Sequence, residues 1–282
     1  MLTVTINALW GGNVPAVKFG LRAVPPLWSA FWRFVLGTGC IGAWATVKGV
    51  PLRPQKGEWG ALLLLGALFT VQIALMNIGI HFTSGAMASI LIAANPLFAA
   101  AAAHVILPDD RLTPARTLGL AVAFGGILLV FLPGVEASGG ESTLLGNLVC
   151  LSSAALLGGR LVFASRLLRR MESTRVMMWQ MALSLPVYAL AGWSLEQVNW
   201  EALGWEPLLG IAYQGFVVAG FNFMAMAWLL QRHRASLVFG FNFISPLSGV
   251  VLSAWLLGDE LTWHILAGMI AVGLGLGLIT RR

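Results

Sequence analysis

Arg33 and Arg160 each stand inside a long apolar run. A cation among apolar residues is costly and by default marks a binding role. A guanidinium suits a carboxylate or a phosphate because its donors form a planar fork. The alternative for each arginine is snorkelling toward water, or pairing with a carbonyl at a helix end. Neutral polar residues are more numerous in the same runs: Asn13, Gln72, Asn77, Asn95, Asn147, Gln180, Tyr213, Gln214, Asn222 and Asn242. Amides at such positions either bridge neighbouring helices or line a cavity. Asn95 and Asn242 lie beside Pro96 and Pro246, which lack N–H donors and should free the carbonyls of Ile92 and Asn242. Pro15, after Gly11-Gly12-Asn13, makes a third such break. Freed backbone groups in a bilayer are tolerated only in protein contacts or along a wet cavity. The expected substrate cavity therefore comprises Trp10, Asn13, Asn77, Asn95, Arg160, Tyr213, Asn222 and Asn242, with helix breaks at Pro15, Pro96 and Pro246. Trp10, Trp32 and Trp179 could wall that cavity or pack the core.

Other chemistries lack their residues. Every Asp and Glu falls at the end of an apolar run or between runs, so no carboxylate is placed at depth to relay protons or hold an organic cation. His81, His104, His233 and His264 occupy different segments and form no metal-spacing pair. Cys40 and Cys150 sit in apolar runs without paired spacing and read as small packing residues. No glycine-rich phosphate loop is present, so the chain is no ATP-driven pump. No catalytic residue, metal or cofactor is expected.

Long apolar helices must position these residues. The 282 residues are 58% hydrophobic and 10% charged, with mean hydropathy +0.84, whereas soluble domains carry about 25% charged residues. A spanning helix needs roughly 20 apolar residues. Ten spans are expected at about 2–21, 27–47, 58–80, 84–107, 114–132, 143–166, 174–193, 205–230, 235–257 and 262–280. Ala23-Val24-Pro25-Pro26, Gly49-Val50-Pro51 and Pro133-Gly134 supply helix stops. The short connections leave no room for a separate soluble domain. The net charge of +6 is scattered among them, which is no nucleic-acid footprint. Met1–Ala8 lacks the basic region and cleavage site of a secretory signal and reads as a retained first helix. Its uncharged upstream flank suggests that a few native residues are missing.

Of the 17 Lys and Arg residues, 13 fall on one side if the N-terminus is cytoplasmic. Only Lys18 and Arg22 fall on the other, and Arg33 and Arg160 lie within spans. Positive residues favour the cytoplasm, so both termini are expected inside. Trp28, Trp59, Trp193, Trp200, Trp205 and Trp263 sit at span ends, where an amphipathic ring prefers the interface.

The two halves resemble each other in order. Asn95-Pro96-Leu97 answers Ser245-Pro246-Leu247, and an acidic pair follows each, Asp109-Asp110 and Asp259-Glu260. Gly119 and Gly126 match Gly268 and Gly275, Gly11-Gly12 matches Gly158-Gly159, and Trp32 matches Trp179. Five spans per unit is an odd number, so the second unit enters the membrane from the opposite side. The expected fold is all-α: a polytopic membrane protein of ten transmembrane helices in two inverted five-helix repeats, residues 1–134 and 141–282. Inverted repeats are the architecture of many secondary transporters, with substrate near the midplane. Gly273-xxx-Gly277 and Gly119-xxx-Ala123 are expected to pack helices closely.

Trp10-Gly11-Gly12-Asn13 resembles the aromatic-glycine opening of the EamA family in the drug/metabolite transporter superfamily. The stretch from Ser245-Pro246 through Leu257-Gly258-Asp259-Glu260-Leu261 to Gly268 is similar to that family's second-repeat signature. In the first repeat, Pro108-Asp109-Asp110 stands where the family has Gly-Glu. The resemblance covers essentially the whole chain and is greatest, in overall pattern, to YddG-type bacterial amino-acid exporters. It implies a multi-pass secondary transporter of the bacterial inner membrane that exports small metabolites, foremost amino acids, aromatic and other neutral ones, and is not an enzyme. An amino acid is a zwitterion, whose ammonium could be held by Asn side chains and freed carbonyls, and whose carboxylate by Arg160 or helix N-termini. The carboxylate-free interior suggests alternating access without proton coupling. The expected partners are a small-molecule substrate and the lipid bilayer, without nucleic acid, in a monomer or weak homodimer. One alternative is a multidrug or organic-phosphate carrier, the latter demanding that Arg33 and Arg160 converge. Another is a non-transporting membrane scaffold or receptor subunit.

Overall fold

A computed structural model describes residues 2–106, 113–136, 143–232 and 244–280. Among these residues there is no strand, and the helices fall into ten segments close to the expected spans. Helix α1 runs as Leu2–Gly11 and Asn13–Leu21, α2 as Pro26–Lys48, and α3 as Trp59–His81. Helix α4 is Gly85–Ile92 then Asn95–Ile106, α5 is Pro114–Glu136, and α6 is Leu144–Leu168. Helix α7 is Ser173–Ala182 then Ser184–Leu195. Helix α8 begins as Trp205–Ala212, continues as a π-helical stretch Tyr213–Asn222, and ends as Phe223–Arg232. Helices α9 (Ile244–Leu257) and α10 (Trp263–Thr280) complete the chain.

Among the described residues four stretches are long and apolar enough by themselves to cross a membrane: Trp59–His81, Gly85–Val105, Leu144–Leu168 and Trp205–Met226. Breaks cut α1 and α7 into pieces of 9 to 12 residues each. Helix ends follow local chemistry. Proline opens α2, where the missing N–H costs nothing, and Gly49 closes it at φ 65°, a left-handed cap that glycine adopts without strain. Ser84 and Thr143 accept amide hydrogen bonds at the starts of α4 and α6. Large apolar side chains such as Leu190, Trp193 and Trp255 face outward, as a lipid-facing surface requires.

Packing obeys the repeat. Helix α3 packs on α6 as α8 packs on α1, α4 on α6 as α9 on α1, and α2 on α8 as α7 on α3. Three contacts map onto themselves: α2 with α7, α4 with α9, and α5 with α10. Exchanging the halves therefore maps these principal contacts onto one another. The close crossings agree residue by residue. A Cβ on Gly158 would lie 2.6 Å from the Asn95 carbonyl oxygen, and one on Gly11 would lie 2.6 Å from that of Ser245. At the α5–α10 crossing, Gly126 meets the Gly268 carbonyl and the Val272 amide, while Gly275 meets the Gly119 carbonyl and the Ala123 amide. One expectation is corrected here. A Cβ on Gly273 or Gly277 would meet nothing within 4 Å. Both lie about two residues from Gly275, roughly 200° around an α-helix, so they turn away from α5.

The loop after α9 is tied back to the bundle. Asp259 accepts a 2.6 Å hydrogen bond from the Ala86 amide at the start of α4, where exposed amides and the helix dipole favour a carboxylate. Asp259→Ala is expected to cost about 1 kcal/mol, read as a lowered thermal midpoint in detergent. An unchanged midpoint would show that the contact contributes nothing. The matching acidic pair Asp109-Asp110 lies outside the described residues.

Candidate functional site

Two buried guanidinium groups flank one aromatic cluster. Arg33 lies seven residues into α2 and is 2% exposed, and Arg160, on α6, is 7% exposed. Neither reaches water, which removes the snorkelling alternative. A continuous run of ring contacts joins them. Arg33 lies 5.2 Å from the Phe34 ring centre, Phe34 and Phe69 are 4.8 Å apart, and Arg160 lies 4.9 Å from Phe69. Tyr188 of α7 stacks on Phe34 at 6.2 Å and stands within electrostatic range of both guanidinium groups. Its hydroxyl donates to the Thr70 carbonyl at 2.8 Å, which fixes the ring. Four helices, two from each half, thus supply one cluster.

Hydrogen bonding at the cluster is incomplete. Arg160 Nη1 donates to Gln180 Oε1 at 2.8 Å, but its Nε has no partner. Nε and Nη1 of Arg33 are likewise buried without an acceptor. Among the described residues neither arginine makes an ion pair. Cation–π contacts contribute about 0.5–2 kcal/mol each, whereas an uncompensated buried charge costs several kcal/mol. The balance favours any anion that can reach the cluster.

The residues expected to line a cavity are distributed more widely. Asn77 donates to the Pro26 carbonyl at 3.0 Å and Asn222 to the Ile6 carbonyl at 3.2 Å, while the side-chain oxygen of each is buried and unpartnered. Asn13 is buried with an unpartnered Oδ1. Tyr213 donates to the Leu9 carbonyl at 2.6 Å, beside the break in α1, and its ring closes over Gly12. Trp10 packs against Phe223 with ring centres 5.8 Å apart. Asn95 bonds back to the Ile92 carbonyl at 2.9 Å, so the oxygen freed by Pro96 is taken up locally. Pro15 and Pro96 both fall in the first turn after a break, while Pro246 is the third described residue of α9. Asn242 lies outside the described residues.

Arg33, Phe34, Phe69 and Tyr188 are absent from the expected cavity set, although they form the cluster that Arg160 joins through Phe69. Sequence periodicity could not join them, because the contacts cross four helices. Two other features did leave a signal. The break in α7 precedes Pro186, which falls in the first turn of Ser184–Leu195. The π-helical stretch carries Gly215 and Gly220, following Gly210 at the same five-residue interval that π hydrogen bonding uses. Gly215 packs on Leu36 and Gly220 on Cys40, so the interval keeps bare backbone facing α2.

A cavity of about 210 Å³ opens between the end of α2, the start of α7 and the last part of α8. Trp44, Met177 and Trp228 are among its lining residues. Met177 sulfur accepts from Gln180 Nε2 at 3.2 Å, and Gln180 in turn holds Arg160. The cavity is therefore two contacts from Arg160. A buried ion pair stands nearby. Arg175 donates to both carboxylate oxygens of Glu58 at 2.9 Å and to the Pro51 carbonyl at 3.1 Å. At the opposite face, Glu196 accepts from the Leu27 and Trp28 amides, and the exposed Arg22 pairs with Glu206. Burial pushes the Glu196 carboxyl above the usual carboxylate range, and the two amide hydrogen bonds partly oppose that shift. Among the described residues no group of three His, Cys, Asp or Glu side chains could hold a metal.

Comparison with known proteins is consistent with this architecture. The sequence profile described as the EamA-like transporter family matches residues 1–132 and, again, residues 144–281. The chain is 26% identical over 289 residues to a "Probable amino-acid metabolite efflux pump" of Salmonella typhimurium (strain LT2), covering 98% of this chain and 92% of that protein. It is 20% identical over 279 residues to "Uncharacterized transporter YoaV" of Bacillus subtilis (strain 168), covering 98% and 94%. A solved crystal structure superimposes with a TM-score of 0.73 at 19% identity, covering 98% of this chain and 94% of the other, which shows a shared fold.

Proposed function

From the premise that this chain belongs to the EamA-like transporter family, and so is a multi-pass membrane transporter and not an enzyme, we propose that it exports small carboxylate-bearing metabolites, amino acids foremost, across a bacterial inner membrane. The observation that carries this reading is the buried arginine pair at the meeting of the two halves, with Arg160 two contacts from a cavity that opens to one face. Relatives at 26% and 23% identity that are named amino-acid metabolite efflux pumps support the substrate class. The repeats, 1–134 and 141–282, rock against each other so that the centre faces each side in turn. Both termini lie in the cytoplasm, which places the cavity beside Trp44 and Met177 on the cytoplasmic side, where an exporter collects its load. Arg160 takes the substrate carboxylate, and the unpartnered oxygens of Asn13, Asn77 and Asn222 are available for an ammonium. The protein works as a monomer or weak homodimer.

Purified protein in proteoliposomes is expected to give saturable flux of amino acids. Background rates for aromatic, branched, acidic, Thr and Met substrates alike would overturn the proposal. Flux runs down the substrate gradient, so an imposed proton gradient is expected to change the initial rate by less than about twofold. A clear acceleration would show proton coupling. The shared aromatic cluster of Arg33 and Arg160 also favours a second reading, an organic-phosphate carrier, which competition by a phosphate monoester distinguishes.

A further inference from the structure

Resting on that transporter reading, we infer that Arg33 and Arg160 form one two-pronged anion site, which selects acidic amino acids and dicarboxylates over neutral amino acids. Three observations converge. First, the two guanidinium groups are joined through Phe34 and Phe69 by contacts of 5.2, 4.8 and 4.9 Å, with Tyr188 in electrostatic range of both. A single monocarboxylate answers one of these charges, and a second anionic group answers the other.

Second, both arginines are more than nine-tenths buried and keep unpartnered donors, Nε on each and Nη1 on Arg33. Such donors face a desolvation cost that only an acceptor can remove. An ionised carboxylate is the stronger acceptor and matches the guanidinium fork.

Third, the repeat makes the two arginines unequal in a useful way. The register that pairs Gly11-Gly12 with Gly158-Gly159 sets Asn13 against Arg160, and the one that pairs Trp32 with Trp179 sets Arg33 against Gln180. The bond between Arg160 and Gln180 thus corresponds to a position shared by Asn13 and Arg33. In the second half that bond is made, at 2.8 Å. In the first half the corresponding groups, Asn13 Oδ1 and two Arg33 nitrogens, are buried without partners. Arg160 is therefore held in place by protein, whereas Arg33 keeps its donors for a ligand. The two prongs have separate roles: a fixed cation for one carboxylate and an unoccupied fork for the other.

The test is proteoliposome flux of labelled glutamate and leucine, with succinate, unlabelled leucine and glycerol phosphate as competitors. The wild type is expected to show a kcat/KM for glutamate at least tenfold above that for leucine, with succinate the best competitor. Arg33→Gln is expected to reduce that ratio at least tenfold, chiefly through the KM for glutamate, and Arg33→Lys to restore part of it. The ratio is the decisive readout, because a defect of folding or insertion lowers both fluxes together. Thermal unfolding with added glutamate or leucine gives a second measure, with stabilisation by glutamate expected in the wild type and absent in Arg33→Gln. Leucine flux equal to that of glutamate, with an unchanged ratio in Arg33→Gln, would overturn this inference and leave the exporter standing. Stronger competition by glycerol phosphate than by succinate would overturn it in favour of a phosphate carrier. Background flux for every solute would instead overturn the transporter function proposed above.

Discussion

Gly158→Ala is expected to destabilise the protein by about 3 kcal/mol, near the upper end for an overpacked site, and to lower its thermal midpoint in detergent accordingly. A Cβ there would stand 2.5 Å from the Ala99 amide nitrogen, 2.6 Å from the Asn95 carbonyl oxygen and 2.8 Å from Phe98 Cβ. Two of those atoms are backbone, so no rotamer change can relieve the clash and α6 must move away from α4. Gly11→Ala repeats the experiment in the other half, because its Cβ would meet the Ser248 hydroxyl, the Ser245 carbonyl at 2.6 Å and the Gly249 amide at 2.8 Å. Gly159→Ala is the internal control. It lies on the same helix with nothing within 4 Å, and there alanine is expected to be neutral or to stabilise by about 0.5–1 kcal/mol. If Gly158→Ala matches Gly159→Ala in stability, the helices do not cross as closely as described.

The second large effect concerns the ion pairs at the two faces. Glu58→Gln is expected to cost about 3–5 kcal/mol, because removing one member of a buried pair leaves the other charge uncompensated. The Arg175 side chain is 4% exposed and that of Glu58 11%. Glu58 Oε2 also accepts from the Gln55 amide at 2.6 Å, so the substitution disturbs the turn before α3 as well. Glu206→Gln, at the opposite face, removes a partner of Arg22 from a pair whose side chains are 48% and 39% exposed. Water and salt screen such pairs, which are worth about 0–1 kcal/mol. Thermal unfolding of the two variants side by side should separate them clearly. Equal losses would mean that burial does not govern the Glu58–Arg175 pair.

Span limits were legible because the bilayer imposes one simple rule on every helix: enough apolar length, ended by charge, glycine or proline. Pro26, Gly49 and Pro114 stand within a residue or two of where α2 begins and ends and α5 begins. The repeat was legible through Asn95-Pro96 and Ser245-Pro246, and the glycines aligned with it meet equivalent backbone atoms in space. The candidate site was only half legible. Arg160 stood out as a charge at depth, but its neighbours Phe34, Phe69 and Tyr188 are common residues in apolar helices and carry no local pattern. Their meeting depends on how α2, α3, α6 and α7 cross, which is tertiary information. Asn95 shows the converse: a polar residue beside a helix break, conspicuous in sequence, spends its donor on its own backbone.

The reciprocal crossings also set a timetable for synthesis. Gly11 is made some 230 residues before Ser245, near which the α9 backbone that covers it begins. At about 5–20 residues per second, that helix follows roughly 10–50 s later. Throughout this interval α1, with its glycine face and buried Asn7 and Asn13, has no α9 to pack against. Helix α3 waits similarly, though more briefly, for α6 to bring Cys150 against Gly79. The first five helices therefore emerge as an unfinished surface, and the glycine face of α1 stays uncovered until the second half arrives.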